Sequence, residues 1–152
     1  MKIAGEYVIP VSQERAYAVL QDPELLARAM PGCEALERIG DGEYHMKMKM
    51  VLASMSGLFD GKVRIADQQP YTQFRLIVDG SGKIGFLRGN GLLTLTPTEG
   101  GTNVHYDGTV EVGGTIASVG QRLLDTTSKM LIKRFFTKLT SEVSESAASS
   151  AL

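Results

Sequence analysis

The apolar residues of this chain change their spacing at Gly113-Gly114. Before this pair they alternate with polar residues, as in Tyr44 to Met50, which is typical of strands with one buried face. After it they recur at three- or four-residue steps over about 25 to 30 residues, which predicts one long helix. The apolar face of a sheet must be covered, and only this helix is long enough to cover it. The sequence therefore predicts an α+β fold in which a curved antiparallel sheet wraps around a C-terminal helix.

Turn signals divide the region between Cys33 and Gly113 into stretches of about ten residues, the spacing of an antiparallel meander. They lie at Gly40-Asp41-Gly42, Pro70, Gly80-Ser81-Gly82 and Gly100-Gly101. Together with an extended run from Ile3 to Ile9, this spacing predicts six or seven strands. The long helix is expected from about Thr115 to Glu142.

Two short helices are predicted between the first strand and the meander. Ser12 has the hydroxyl of a helix cap, and Arg15 to Leu20 form the body of the first helix. Asp22-Pro23 gives a second start signal, which predicts a helix over Leu25 to Met30. We expect one domain over residues 1–143 and a flexible Ser/Ala-rich tail over residues 144–152.

The charge and cysteine content argue against several classes of protein. The net charge is −1, from 16 basic and 17 acidic residues, so no overall positive field favours binding to nucleic acid. One cysteine and two histidines are too few for a structural zinc site, and a single cysteine fits a reducing cytoplasm. The N-terminus lacks a signal-peptide core, and no apolar run reaches the ~18 residues that span a bilayer. A cytoplasmic protein is expected.

The sequence offers no set of catalytic or metal-binding residues. The glycines of Gly85 to Gly91 precede a strand-like run rather than a helix, which favours turn or bulge glycines over a phosphate loop. His45 and His105 fall on polar strand faces and have no obvious partner. Cys33 precedes Glu34, which would raise the pKa of the thiol rather than activate it. We expect neither an enzyme nor a bound metal.

The methionines of the third strand indicate a binding surface for an apolar molecule. Met46, Met48 and Met50 share a face with Tyr44, and flexible, polarizable side chains suit a planar or long-chain ligand. Ordinary core filling remains the alternative. The residues predicted to line the cavity between sheet and helix are Tyr44, Met46, Met48, Met50, Val63, Phe74, Leu76, Phe86, Tyr106, Val119, Leu123 and Met130.

Short motifs spread along the chain resemble one protein family. They are Pro31-Gly32-Cys33, Gly61-Lys62-Val63, the segment from Gly80-Ser81-Gly82 to Gly91, Val112-Gly113-Gly114, Gly120-Gln121-Arg122-Leu123-Leu124 and Phe135-Phe136. Their order and spacing, over about residues 1 to 140, closely resemble the CoxG family of carbon monoxide dehydrogenase subunits. The resemblance implies a START-like helix-grip fold of the SRPBCC superfamily. It also implies a protein that helps to place a molybdenum hydroxylase at the membrane and binds a quinone.

Two functions are therefore expected as alternatives. The first is a non-catalytic protein that binds a quinone or lipid, has no covalently bound cofactor, and serves a carbon monoxide dehydrogenase-type molybdenum hydroxylase by membrane recruitment or electron transfer to quinone. The second is a small START-like cyclase or hydratase that acts on an apolar substrate. Membrane contact is expected to be weak and peripheral, on the inner face of the membrane, because Lys129, Lys133, Arg134 and Lys138 supply limited attraction.

Overall fold

The computed structural model describes the backbone of residues 1–151 and the side chains of residues 1–144. Within that range the elements are β1 (Lys2–Ile9), α1 (Gln13–Val19), α2 (Pro23–Ala29), β2 (Cys33–Gly40), β3 (Glu43–Leu52), β4 (Met55–Gln69), β5 (Gln73–Gly82), β6 (Gly85–Thr98), β7 (Gly101–Gly113), a 3-10 helix (Thr115–Val119) and α3 (Gln121–Ala151). The strands form one antiparallel sheet of seven in the order β1-β7-β6-β5-β4-β3-β2. The predicted curved sheet is confirmed, with the larger of the two expected strand numbers.

The two short helices begin at the predicted caps. The Ser12 hydroxyl accepts a hydrogen bond from the backbone amide of Arg15 at 3.3 Å. The Asp22 carboxylate accepts one from the amide of Glu24 at 3.0 Å. These bonds satisfy amides that have no partner inside the first helical turn, so both helix predictions are confirmed.

The strand register shows which residues share the concave face of the sheet. Residues paired across neighbouring antiparallel strands point to the same side. One such row runs from β3 to β7 through Tyr44, Val63, Val78, Gly89 and Val110. The row is apolar apart from one phenol hydroxyl, and it crosses the middle of the sheet beneath α3.

The buried apolar residues form two separate clusters. The larger cluster joins α1, α2 and the C-terminal half of α3 to the sheet, and it includes Ile9, Tyr17, Phe74, Leu95, Val104, Phe136, Leu139 and Val143. The smaller cluster consists of Leu52, Phe59 and Ile116, and Leu123 and Leu124 at the start of α3 pack against it. The long helix is therefore anchored to the sheet near its start and again between Phe136 and Val143.

An ion pair also links α3 to α2. The Arg28 guanidinium lies 3.3 Å from the Glu142 carboxylate, and Lys138 lies 3.5 Å from the same group. Because Arg28 and Lys138 are more than half exposed, each pair is worth no more than about 1 kcal/mol. The burial of Phe136 and Leu139 contributes more to holding this end of the helix.

The long helix begins later than predicted. Thr115–Val119 form a 3-10 helix, and α3 starts at Gln121, beyond Gly120. Gly120 has a φ of 96°, a left-handed conformation that a helix interior does not contain. The apolar spacing continues across this break because Ile116 is buried against the same cluster as Leu123.

Two turns differ from the sequence prediction. Gly80-Ser81-Gly82 is part of β5 rather than a turn, and the β5–β6 turn follows it at residues 83 and 84. The β3–β4 turn contains Ala53 with a φ of 56°, although no glycine, proline or asparagine marks the position. A left-handed alanine gives no sequence signal, which explains why this hairpin was not predicted.

The predicted domain ends at residue 143, and Val143 has the last buried side chain among the described residues. Val143 is fully buried in the larger cluster and Ser144 is exposed. The flexibility predicted for residues 144–152 concerns a segment that lies almost entirely outside the described side chains, and it stays a prediction. No helix in the described residues is both long and apolar enough to cross a membrane.

Candidate ligand-binding site

Between the two clusters, the concave face carries apolar side chains that are only partly buried. Met48, Val78, Leu87 and Val110 come from four strands, and Leu131 comes from the middle of α3. Among the described side chains, these five belong to neither cluster and keep partial solvent accessibility. A helix packed tightly on the middle of a sheet would bury such residues completely. α3 therefore does not seal the middle of the concave face, and the partly exposed apolar region between α3 and the sheet is referred to below as the space.

Glycines on the concave face enlarge this space. A Cβ atom built at Gly89 would meet no atom closer than 3.9 Å, with Val78 and Val110 as its neighbours. At Gly91 the nearest atom would lie 3.6 Å away, and at Gly80 the nearest would be the Met46 methyl at 3.6 Å. A methyl group at any of these three positions would therefore fit at ordinary van der Waals distances.

Aromatic rings border the space on the side of β1 and β7. The ring of Tyr7 stacks on Phe136 of α3, with centroids 4.5 Å apart and an interplanar angle of 11°. Tyr106 lies parallel to both, at 6.3 Å from Tyr7 and 6.2 Å from Phe136. Because Phe136 is buried in the larger cluster, this stack fixes the position of two phenol rings at the border of the space.

The charged side chains of β1 and of β3 to β7 lie on the opposite, convex face. His45 contacts Asp60 there at 2.7 Å, so this histidine has a partner that the sequence did not reveal. Arg75 on the same face lies 3.0 Å from Asp67. In β1 and in β3 to β7, lysine, arginine, histidine and carboxylate residues occupy positions that alternate with the concave ones. The concave face is therefore apolar, with tyrosine hydroxyls as its ionisable groups along these strands.

The residues predicted to bind the ligand fall into four groups. Tyr44 and Phe74 are buried in the larger cluster, with Val63, Leu76 and Tyr106 packed against it, whereas Met50, Val119 and Leu123 pack against the smaller cluster. Met46 and Met48 lie in the stretch between the clusters, and Phe86 and Met130 lie elsewhere. The structure thus places ten of these residues in the two clusters or between them, and their role in binding stays a prediction.

Phe86 and Met130 are corrections to the predicted lining. Phe86 shares its face with Arg88, whose guanidinium carbon lies 4.7 Å above the ring, and this is the convex face. Leu87, the next residue, is the one that faces α3. Met130 is 42% exposed on the outer side of α3, while Leu131 turns inward. Adjacent helical residues point about 100° apart, so only one of the pair reaches the sheet.

Other residues at the space were missing from the sequence prediction. Tyr7 lies on β1, where a short run gave only a weak alternation. Gly89 and Gly91 were interpreted as turn or bulge glycines, but they are regular positions of β6 with unbroken register on both sides. Gly89 and Gly91 lie an even number of residues from Leu87 and Leu93 in the same strand. This alternation would have placed them on the concave face.

Cys33 has the environment of an unreactive thiol. Burial raises its pKa, and a backbone hydrogen bond from Ala35 opposes this effect only in part. The sequence predicted the same direction but attributed it to Glu34. Because the nucleophile is the thiolate, a raised pKa reduces reactivity at neutral pH. Across the described residues, no three histidine, cysteine or carboxylate side chains come together as a metal site would need.

Two surface grooves of the described structure lie outside the space under α3. One of about 590 Å³ is on the convex face beside Lys2, Arg75 and Asp107. The other, of about 500 Å³, follows the outer side of α3 beside Met130 and Lys133. Of the basic residues predicted to attract a membrane, Lys129 pairs with Asp125 at 3.2 Å and Lys138 with Glu142. Membrane contact stays a prediction.

A seven-stranded curved sheet wrapped around a C-terminal helix, with two short helices after the first strand, defines a START-like helix-grip protein. The chain belongs to the CoxG family of carbon monoxide dehydrogenase subunits, whose model matches residues 5–144. The resemblance seen in the sequence is thereby confirmed.

Solved structures agree with this fold. A conserved protein from Geobacillus kaustophilus is 32% identical with a TM-score of 0.91, over 96% of this chain and 97% of that one. A protein from Mycobacterium smegmatis shares 14% identity with a TM-score of 0.71, over 95% and 92% of the two chains. The Zhui aromatase/cyclase from a Streptomyces species shares 11% identity with a TM-score of 0.65, over 93% and 92%. A comparison with curated proteins found no match.

Proposed function

We propose that this protein is a non-catalytic carrier of an apolar small molecule, a quinone or lipid, which it holds between α3 and the concave face of the sheet. The observation that carries the proposal is the partly exposed apolar stretch around Met48, Val78 and Leu131, between two clusters that are themselves buried. A concave, mostly apolar space with few polar groups is the usual form of a small-molecule site.

Membership of the CoxG family supports a more specific role. The carrier would serve a molybdenum hydroxylase of the carbon monoxide dehydrogenase type, through membrane recruitment or through electron transfer to a bound quinone. The protein would have no covalently bound cofactor, because its part is to hold and deliver the acceptor. The basic outer side of α3, which includes Lys133 and Arg134, would give weak peripheral contact with the inner face of the membrane.

A cyclase or hydratase is the alternative, and the likeness to the aromatase/cyclase concerns the fold alone. Such chemistry needs acid and base groups beside the substrate. The charged residues of the strands that line the space lie on the convex face, and His45 there is engaged with Asp60. This distribution favours a carrier over an enzyme.

Organic extraction followed by mass spectrometry tests the proposal. We expect protein purified from a quinone-containing host to carry an isoprenoid quinone or lipid at close to one molecule per chain. A matched preparation of Gly89→Leu, in which the added side chain would enter the space, should carry far less. Wild-type protein that yields no apolar molecule, and that binds none when it is supplied, would contradict the proposal.

A further inference from the structure

β1 forms a free edge of the sheet. It stands first in the strand order, so within the described structure its ladder has β7 on one side and no strand on the other. Met1 and Val110 exchange both of their backbone hydrogen bonds, at 2.9 and 2.8 Å. Because such pairs recur at every second residue of an antiparallel ladder, the odd-numbered residues of β1 also bond to β7. The even-numbered residues therefore direct their backbone N–H and C=O groups away from the sheet. They are Lys2, Ala4, Glu6 and Val8.

The β1 edge is regular, whereas the opposite edge of the sheet is not. The register of β1 with β7 is unbroken from Lys2 to Ile9, and the side chains of the four outward residues are exposed. The opposite edge strand, β2, has a register shift near each of its ends. Bulges of this kind twist an edge and prevent another strand from pairing with it. A further strand would therefore add at β1 rather than at β2.

The charges of β1 suit a second copy of the same strand. Lys2 and Glu6 lie at equal distances on either side of Ala4. In an antiparallel pair of two β1 strands centred on Ala4, Lys2 of each copy lies opposite Glu6 of the other, on the same face. Neither side chain forms an ion pair within the described part of the chain. Charges on a sheet edge normally oppose strand addition, and here they favour an incoming strand of complementary charge.

The same register suits the backbone and the concave face. Lys2, Ala4 and Glu6 all direct their backbone groups outward, so each of them can exchange hydrogen bonds with the residue opposite it in the second copy. On the concave face, Gly5 lies opposite Ile3 of the other copy. A Cβ atom at Gly5 would lie 2.5 Å from the Tyr106 hydroxyl oxygen, so the phenol of Tyr106 lies over the glycine at this edge. Ile3, which is only partly buried in one chain, would then pack beside that phenol.

We infer that two copies of this chain pair through β1, antiparallel and centred on Ala4, to form one continuous sheet. This inference is independent of the proposed carrier function, because the pairing uses the outer edge of β1 and not the space under α3. The concave faces of the two copies lie on the same side of the joined sheet, since residues paired across strands point to one side. One strand from each copy makes a small interface, so the dimer is weak and forms at micromolar concentrations.

Sedimentation velocity of the full chain, over about 1 to 500 μM, measures the pairing. We expect the mass of the wild type to change from that of a monomer to that of a dimer over this range. Lys2→Glu and Glu6→Lys should each weaken the dimer by about 10-fold, because two opposite-charge pairs become like-charge pairs. The double variant Lys2→Glu/Glu6→Lys restores both pairs with their signs reversed. Its association should return to within about threefold of wild type.

A disulfide tests the register of the pairing. In Cys33→Ser protein, Ala4→Cys places two thiols at the centre of the strand pair, where Cα atoms about 5.5 Å apart suit a disulfide. Mild oxidation should therefore give a covalent dimer. Val8→Cys in the same background is the matched control, since residue 8 lies on the same edge and is 50% exposed. In this register the two copies of residue 8 lie roughly 25 Å apart, so this variant should stay uncrosslinked.

Three results would overturn the inference. The first is a monomer mass for wild type at every concentration. The second is a dimer that both single charge variants leave unchanged, because the contact would then lie elsewhere. The third is loss of association in the single variants without recovery in the double variant, since charge pairing across the two strands would then not be its cause. Melting temperatures at low concentration should match wild type in the charge variants, because neither charge has an ion-pair partner among the described residues.

Discussion

Replacing Gly61 by alanine is expected to lower the free energy of unfolding by about 3 kcal/mol, the upper end of the usual cost of overpacking. A Cβ atom at this position would overlap the carbonyl oxygen of Asp79 and lie 2.6 Å from the Cα of Gly80. Both obstacles are backbone atoms of β5, so they can move only if the β4–β5 ladder is distorted. In a chain of this size the loss corresponds to a fall in melting temperature of roughly 6–12 °C.

Gly91→Ala is the matched control for this prediction. Gly91 is also a concave strand glycine, but its Cβ would meet nothing closer than 3.6 Å. The change should be neutral or stabilise the fold by up to about 1 kcal/mol, since alanine restricts the unfolded chain. Thermal or urea unfolding of both variants gives the comparison. Equal losses of stability at the two positions would mean that the cost of Gly61→Ala does not come from the close approach of β4 and β5.

Gly89→Leu is expected to abolish ligand binding without a matching loss of stability. The side chain would extend from the middle of the row between Val78 and Val110 into the space under α3. If that volume is empty in the free protein, the melting temperature should shift by no more than about 3 °C. The affinity for decylubiquinone should fall by more than about 100-fold. Calorimetric titration and thermal melts of wild type, Gly89→Ala and Gly89→Leu provide the test.

The opposite pattern would show that the middle of the sheet is an ordinary core. Leucine would then overpack its surroundings and cost about 1–3 kcal/mol. Retained quinone uptake together with a large loss of melting temperature would place the ligand elsewhere, for example in the groove beside Met130 and Lys133. The alanine variant should show a small effect on both quantities, because a methyl group occupies little of the space.

The fold could be predicted from the sequence because its main signals are periodic. Strand alternation around Met46 and Met48 assigned the concave face, and the change at Gly113-Gly114 located the helix. The prediction failed where the apolar alternation does not show which face a residue occupies, or where a turn lacks the usual turn residues. Ala53 turns the β3–β4 hairpin without glycine, and Gly120 interrupts a stripe of apolar residues that continues through it.

The candidate site was harder to predict because part of its surface is formed by glycines, which have no side chain. Gly89 and Gly91 lie on the concave face, but a glycine contributes nothing to an apolar alternation, so the face of the neighbouring Phe86 was assigned wrongly. Met130 and Leu131 are both apolar, and only packing decides which of them faces the sheet. The stacking of the Tyr7 ring near the Tyr106 ring depends on the register of β1 with β7, which no local pattern contains.

The most direct test of the binding space uses the methyl resonances of the methionines. In protein labelled at the methionine methyl carbon, decylubiquinone should shift the signals of Met46 and Met48, which lie between the two buried clusters. The signal of Met130, exposed on the outer side of α3, serves as an internal control and should not move. Shifts that saturate at one ligand per chain and affect Met46 and Met48 but not Met130 are the predicted result. Shifts confined to Met130, or no shifts at saturating ligand, would contradict a binding space between α3 and the sheet.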